Sequence, residues 1–316
     1  MKVVIDQNIP FLEGVLDAWA EVVFLPASHI CSETIQDADA LIIRTRTHCT
    51  RELLEGSRVR FIATATIGYD HIDTAYCEEA GIRWVSCPGC NAQAVCDYVE
   101  EALREVFPTL SQDIDRAGTP KSIGIVGVGH VGTLVAQMAE RMGLQVVLND
   151  PPRGLTGDVT RCDIITFHVP LTQEGDYPTF HLCGTDFLSQ LKNRDALIIH
   201  AARGGVVDEE ALLRSGHPCV IDCWEGEPHI NLRLLHSERT LRASCHIAGY
   251  SVEGKRNASQ MCLDALCQAF QLPYLRINNT PLPKGDKAFG WLNRLTCQLR
   301  KNPTQFEELR RDYALR

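Results

Sequence analysis

Residues 123–132 read Ile-Gly-Ile-Val-Gly-Val-Gly-His-Val-Gly, and no other stretch limits the chain's architecture so tightly. Gly127, Gly129 and Gly132 form a G-x-G-x-x-G pattern. An apolar run, Ser122 to Val126, precedes it, and an amphipathic pattern, Val131 to Met142, follows. The spacing predicts a strand, a tight turn and a helix. The first glycine permits the turn, the second admits a pyrophosphate to the backbone, and the third lets the helix pack against the strand. Val131 opens that helix just past His130, and its free N–H groups and positive dipole end suit phosphate. A second apolar run, Leu144 to Leu148, ends in Asn149-Asp150. Asp150 stands 21 residues past Gly129, where an acidic residue hydrogen-bonds the adenosine ribose. A ligand-free glycine turn would leave Asp150 unexplained, so the segment is read as a dinucleotide site.

Around this segment, short apolar runs alternate with helical patterns, the signature of parallel sheets with helices on both faces. The first half offers strands at Val3–Ile5, Val22–Leu25, Ala40–Ile43, Phe61–Ala65 and Ile82–Val85, with a helix from Ile72 to Ala80. A long helix is expected from about Ala92 to Leu110, with Pro108, Gly118 and Pro120 breaking the chain after it. The second half offers strands at Ser122–Val126, Leu144–Leu148, Asp163–Phe167, Ala196–His200, Val220–Asp222 and Leu241–Ala243. The expectation is an α/β protein of two Rossmann-like parallel-sheet domains with a cleft between them. Residues 1–92 begin the substrate domain and 93–250 form the cofactor domain. Residues 251–280 return a helix to the first domain, and 281–316 make a short C-terminal tail.

Composition closes off other classes. A net charge of −9 argues against a nucleic-acid or anionic-membrane surface. No apolar run of about 18 residues is present, so no membrane span is expected. The first residues lack the apolar stretch of a secretory signal. With 14 cysteines, the chain is expected to be cytoplasmic and its thiols reduced. Cys87-Pro88-Gly89-Cys90 is a C-x-x-C, but a zinc site would want a second pair, so no metal is expected. From Pro281 onward the chain turns basic: Lys284, Lys287, Arg294, Arg300, Lys301, Arg310, Arg311 and Arg316 outnumber Asp286, Glu307, Glu308 and Asp312. Such a tail suits docking on the body or on a second subunit.

Hydride transfer to a nicotinamide asks three things of a protein. They are a cation for the substrate carboxylate, a base for the hydroxyl proton, and a partner that orients the base. Three strand ends supply candidates. Arg203 follows one strand, and its fork can grip a carboxylate bidentately; Gly204-Gly205 beside it suits close approach of a ligand. Asp222-Cys223-Trp224-Glu225-Gly226-Glu227-Pro228 follows the next, and Ser244-Cys245-His246 a third. His246 is the candidate base, and a nearby carboxylate would raise its pKa. Glu227 is the candidate partner, with Glu225 its local competitor.

At these residues the chain resembles the D-2-hydroxyacid dehydrogenase family. The resemblance rests on residues 124–132, His168-Val169-Pro170-Leu171-Thr172, Arg203-Gly204 through Asp208, Asp222 to Pro228, and His246-Ile247. It implies Arg203, Glu227 and His246 as the catalytic set. It also implies NAD as cofactor, held by the glycine loop with Asp150, Pro170, Asp222, Gly249 and Tyr250. Ala63 to Thr66, Cys87 to Ala92, Asp150 to Arg153 and His246 to Lys255 narrow the resemblance. They match family members that oxidise a phosphorylated 2-hydroxy acid on the route to pyridoxal phosphate. By that likeness Thr45 and Thr66 contact the substrate, Thr45 keeping the hydroxyl of an expected serine.

The substrate phosphate would need cations. Arg44, Arg46, His71 and Lys255 are candidates, with Arg44 and Lys255 preferred. Those family members also continue into a longer dimerisation region, whereas about 36 residues follow Thr280 here. Gln305 to Tyr313 still resembles their final helix, and Phe306, Leu309 and Tyr313 share one helical face, so a homodimer is expected. Two alternatives stay open: a glycerate- or phosphoglycerate-type relative, and a non-catalytic NAD-sensing protein of the same fold.

Overall fold

Two runs of short apolar strands build two separate sheets, one in each of two units. The structure, a computed structural model, describes residues 1–111, 120–281 and 289–315. The expected breaker Gly118 and the tail residues Lys284, Asp286, Lys287 and Arg316 lie outside them. One unit contains Met1–Asn91 and the chain from Ser251; the other contains Ala92–Tyr250 and the described tail.

In the first unit, β1 (Lys2–Asp6), β2 (Glu21–Leu25), β3 (Ala40–Ile43), β4 (Phe61–Thr64) and β5 (Arg83–Val85) pair in the order β2-β1-β3-β4-β5, all parallel. Strand side chains alternate between faces. Val3, Ile5, Ala40, Ile42, Phe61 and Ala63 therefore share one face, packed with Cys262, Leu263 and Leu266 of the helix Val252–Phe270. Val4, Leu41, Ile43 and Ile62 share the other, packed with Ile35, Leu54 and Cys77. Both faces are covered, which explains why β3 reads as an unbroken apolar run.

The second unit begins with the helix Ala92–Val106. It ends short of the expected Leu110 because Pro108 cannot donate a helical hydrogen bond and disfavours helical geometry just before it. A 3-10 turn, Pro108–Ser111, follows. The sheet comprises β6 (Ser122–Val126), β7 (Gln145–Asp150), β8 (Leu155–Thr156), β9 (Ile164–Phe167), β10 (Leu197–His200), β11 (Cys219–Ile221) and β12 (Thr240–Ala243), in the order β12-β11-β10-β9-β6-β7-β8. Only β8 is antiparallel, a two-residue edge too short to leave a periodic signal.

The tail completes this unit. The helix Trp291–Lys301 lies along β12, where Thr296 Oγ1 accepts from Ala243 N–H (2.9 Å) and lies 3.0 Å from Ala243 O. Arg300 donates to Thr240 O at 2.6 Å. An exposed sheet edge is thereby covered. Phe306 is fully buried in the same core, with Leu309 and Tyr313 packed against it. The tail stripe read as seeking a partner thus finds it in its own unit. No helix among the described residues is long and apolar enough to cross a membrane.

Candidate active site

The glycine loop links β6 to the helix His130–Arg141, and each glycine has its own physical reason. Gly127 has φ +89°, and a Cβ there would stand 2.9 Å from the His168 backbone. At Gly132 a Cβ would meet Gly127 O at 2.0 Å, so helix and turn close only without one. Gly129 differs: its φ is ordinary and a Cβ would meet no protein atom within 4 Å. Nothing in the protein demands glycine there, whereas a pyrophosphate laid on the backbone would. Asp150 ends β7, and its Oδ2 accepts from Val128 N–H at 2.7 Å, tying the loop to the next strand. Arg153 Nε stands 3.5 Å from the same carboxylate. His130 is exposed and Val131 half-buried at the helix start; Pro170 is exposed just past β9. This loop fits a dinucleotide.

Three loops at the carboxyl ends of β10, β11 and β12 carry the chemical residues, and two of these loops bring His246 and Glu227 together. Arg203 is half-buried, and its Nη1 donates to Ala202 O at 2.8 Å. Gly204 beside it serves protein packing rather than the expected ligand approach, since a Cβ there would sit 2.1 Å from Trp224 O. His246 Nδ1 lies 2.8 Å from Glu227 Oε2 and 3.0 Å from Oε1. Glu227 Oε1 also accepts from Trp224 N–H at 2.8 Å. Glu225 lies apart from His246 and is taken by His181, 2.9 Å from its Nε2. Geometry therefore decides between the two carboxylates.

Burial opposes charge on both members of the pair, and their neighbours outweigh it. The His246 pKa is raised well above the ordinary imidazole value against burial, with Cys223 and Glu227 favouring the charged form. Glu227 falls below the usual carboxylate range despite burial, because His246 hydrogen-bonds it. The nearby imidazoles of His168 and His200 stay neutral, pushed down by burial to about 3 and about 4. Glu209 is buried and accepts from Glu225 N–H at 2.7 Å; burial pushes its carboxyl up to about 7.

Asp222, expected beside the cofactor, is 1% exposed. Its Oδ1 accepts from Ser244 Oγ (2.6 Å) and Ile247 N–H (2.8 Å), and its Oδ2 from Ala248 N–H (2.9 Å). It clamps the loop that carries His246, and any cofactor contact would be added to that clamp. Tyr98 Oη meets Ser244 Oγ at 2.7 Å and extends the network to the helix Ala92–Val106. Gly249 and Tyr250 close the same loop. Tyr250 Oη accepts from Arg310 Nε at 3.1 Å, and Arg310 Nη1 lies 3.8 Å from Glu227 Oε2. Sequence reading missed Tyr98 and Arg310, for no spacing rule links residue 310 to residue 227.

In the first unit the predicted substrate residues gather at the ends of β1, β3 and β4. Arg44 grips the fully buried Asp6 through Nε (2.9 Å) and Nη2 (3.2 Å). Lys255, near both, has its pKa lowered by burial and by Arg44. Thr45 and Arg46 are exposed. Thr66 Oγ1 donates to Gly68 O (2.9 Å) and stands 2.6 Å from Thr64 Oγ1, which lies 3.0 Å from His71 Nε2. His71 is buried and its pKa is lowered, chiefly by burial, so it is a neutral hydrogen-bond partner rather than a phosphate cation. Cys87 lies 3.6 Å from Cys262 Sγ, and both are buried.

Comparison with known proteins bears on these residues. Residues 6–276 match the model of the D-isomer specific 2-hydroxyacid dehydrogenase catalytic domain. The erythronate-4-phosphate dehydrogenase of Bacteroides fragilis is 45% identical over 100% of this chain and 97% of its own length. That of Pseudomonas putida is 38% identical over 96% of this chain and 84% of its own. In fold, the chain matches the D-lactate dehydrogenase of Aquifex aeolicus with a TM-score of 0.64 at 21% identity, covering 85% of this chain and 95% of that one.

Proposed function

Because the chain belongs to the D-isomer specific 2-hydroxyacid dehydrogenases, we propose that it oxidises 4-phospho-D-erythronate to 3-hydroxy-2-oxo-4-phosphobutanoate with NAD, a step of pyridoxal phosphate synthesis. The observation that carries the chemistry is the 2.8 Å His246–Glu227 pair, in the same unit as the glycine loop. Full-length similarity to relatives bearing that enzyme's name supports the substrate.

Arg203 binds the substrate carboxylate and polarises the reacting carbon–oxygen bond. Glu227 takes Nδ1–H of His246, which leaves Nε2 to accept the hydroxyl proton. When bound, NAD would supply the hydride acceptor for the substrate's C2. Gly127, Gly129, Gly132 and the N–H groups of His130 and Val131 would hold its pyrophosphate, and Asp150 its ribose hydroxyls. A 2′-phosphate would face Asp150 at a cost of roughly 4 kcal/mol for like charges near 4 Å at a dielectric of 20. Arg44 and Lys255 are assigned to the substrate phosphate, with Thr45 and Thr66 as further contacts. Fourteen free thiols suit a cytosolic enzyme. A homodimer belongs to this reading, its interface away from the stripe that Phe306 buries.

Turnover of purified protein decides the assignment. NAD with 4-phosphoerythronate should give a kcat/KM well above that with NADP or with unphosphorylated erythronate, since remote binding energy aligns the reacting carbon. Equal values for the two acids would remove the phosphate assignment, and absence of turnover would remove the substrate. Light scattering of the same sample should give twice the chain mass.

A further inference from the structure

We propose that Arg310, near the end of the chain, is a positioning residue for the acid–base pair, acting through Glu227 and Tyr250. The inference rests on the proton-exchange role given above to His246 and Glu227.

Arg310 is carried by the helix Phe306–Arg311. Phe306 is fully buried, and Tyr313 packs edge-on against Tyr250 and at a tilt against Trp291, with ring centroids 6.4 and 6.3 Å apart. These anchors fix the helix on its own unit and leave the next position of the turn facing the two chemical loops. There the guanidinium donates to Tyr250 Oη through Nε at 3.1 Å. Its Nη1 lies 3.8 Å from Glu227 Oε2 and 3.6 Å from Glu307 Oε1. An exposed i,i+3 pair with Glu307 alone would contribute little. Arg310 is different because it bridges the 222–228 loop and the 244–250 loop while only 28% exposed.

The contacts on Glu227 now come from three directions. Trp224 N–H holds Oε1, His246 Nδ1 faces both oxygens, and Arg310 approaches Oε2. The carboxylate cannot turn away from the imidazole without leaving the cation. Its charge is also shared, so His246 feels less than a full carboxylate. Other titratable groups face the assembly: Cys223 and His200 toward His246, Glu209 toward Glu227, and Cys245, Glu307 and Tyr250 toward Arg310. None of them is a second cation beside Glu227. The pKa of Glu227 is lowered partly by Arg310, in line with this geometry.

The test follows the His246 imidazole by NMR titration of the full-length protein labelled at histidine, the signal being assigned by its loss in H246Q. Removing the cation in R310Q should raise the His246 pKa by about one unit, while R310K should return it toward the wild-type value. In turnover, kcat should drop about 10-fold in R310Q with NADH affinity within two-fold of wild type. The second variant is Y250F, which keeps the ring packing and removes only the hydroxyl. It should shift the imidazole in the same direction by a smaller amount, and it decides the matter if R310Q does not fold. An unmoved His246 pKa in the variants that fold, or a lysine that restores nothing, overturns the proposal. The titration needs no turnover, so it is read whether or not the substrate assignment holds. Wild-type kcat in H246Q would instead sink the acid–base reading itself.

Discussion

His246 has φ +57°, a left-handed conformation that a side-chain-bearing residue adopts at some cost. The surrounding bonds enforce it: its own N–H donates to Asp222 O at 2.9 Å, and the next two N–H groups donate to the Asp222 carboxylate. The imidazole is thus aimed at Glu227 by backbone rather than by side-chain packing alone. Because its pKa is raised in the folded state, the stability it contributes is complete below the ordinary imidazole value. That stability fades as pH climbs through the raised one. Catalysis runs the other way. Hydroxyacid oxidation needs the neutral base, so kcat/KM should rise with pH through that same value, and the reverse reduction should fall. In E227Q the limb should move toward acid by about one unit or more, read from a pH–rate profile; an unmoved limb would detach Glu227 from the base. The sequence showed these residue types on three neighbouring strand ends. Residue types alone did not separate Glu225 from Glu227, a choice that came only through the family resemblance, because it depends on where His181 comes to lie. Nor could the sequence show that Gly204 makes room for a carbonyl of the protein itself.

Among the elements, strands were the most legible. Their apolar runs are short and bounded by turn residues, and β3 and β6 lie where periodicity puts them. The ends were less so: the rigid ring of Pro108 cut one helix early, and β8 exists only through its pairing with β7. The glycine loop offers a test that separates folding from binding. G132A brings a Cβ to 2.0 Å from Gly127 O and should cost about 1–3 kcal/mol or more of stability. G129A meets open space at an ordinary φ and should melt like the wild type while losing NADH affinity at least 10-fold. Thermal melts beside NADH fluorescence titrations check both. A G129A protein with unchanged NADH affinity would leave the pyrophosphate assignment without support.

The chain as a whole passes from one unit to the other and back: the first unit takes in the helix Val252–Phe270, and the second takes in the tail that follows. A chain ending at Asn302 keeps the helix along β12 but loses Phe306 and Arg310. It should still bind NADH, lose most of its kcat, and melt several degrees lower, since removing a buried aromatic costs about 3–5 kcal/mol. Full activity in that truncation would show that the terminal helix is dispensable. During synthesis the ribosome releases Arg203, Glu227 and His246 well before the Phe306–Arg311 segment that docks beside them. A nascent chain can therefore assemble its glycine loop early and still lack the contact of Arg310 with Glu227. A message broken after the codon for Asn302, or a protease nick there, would yield a protein that occupies cofactor and has lost most of its turnover. Enzymatic competence thus reports that translation ran through the helix Phe306–Arg311.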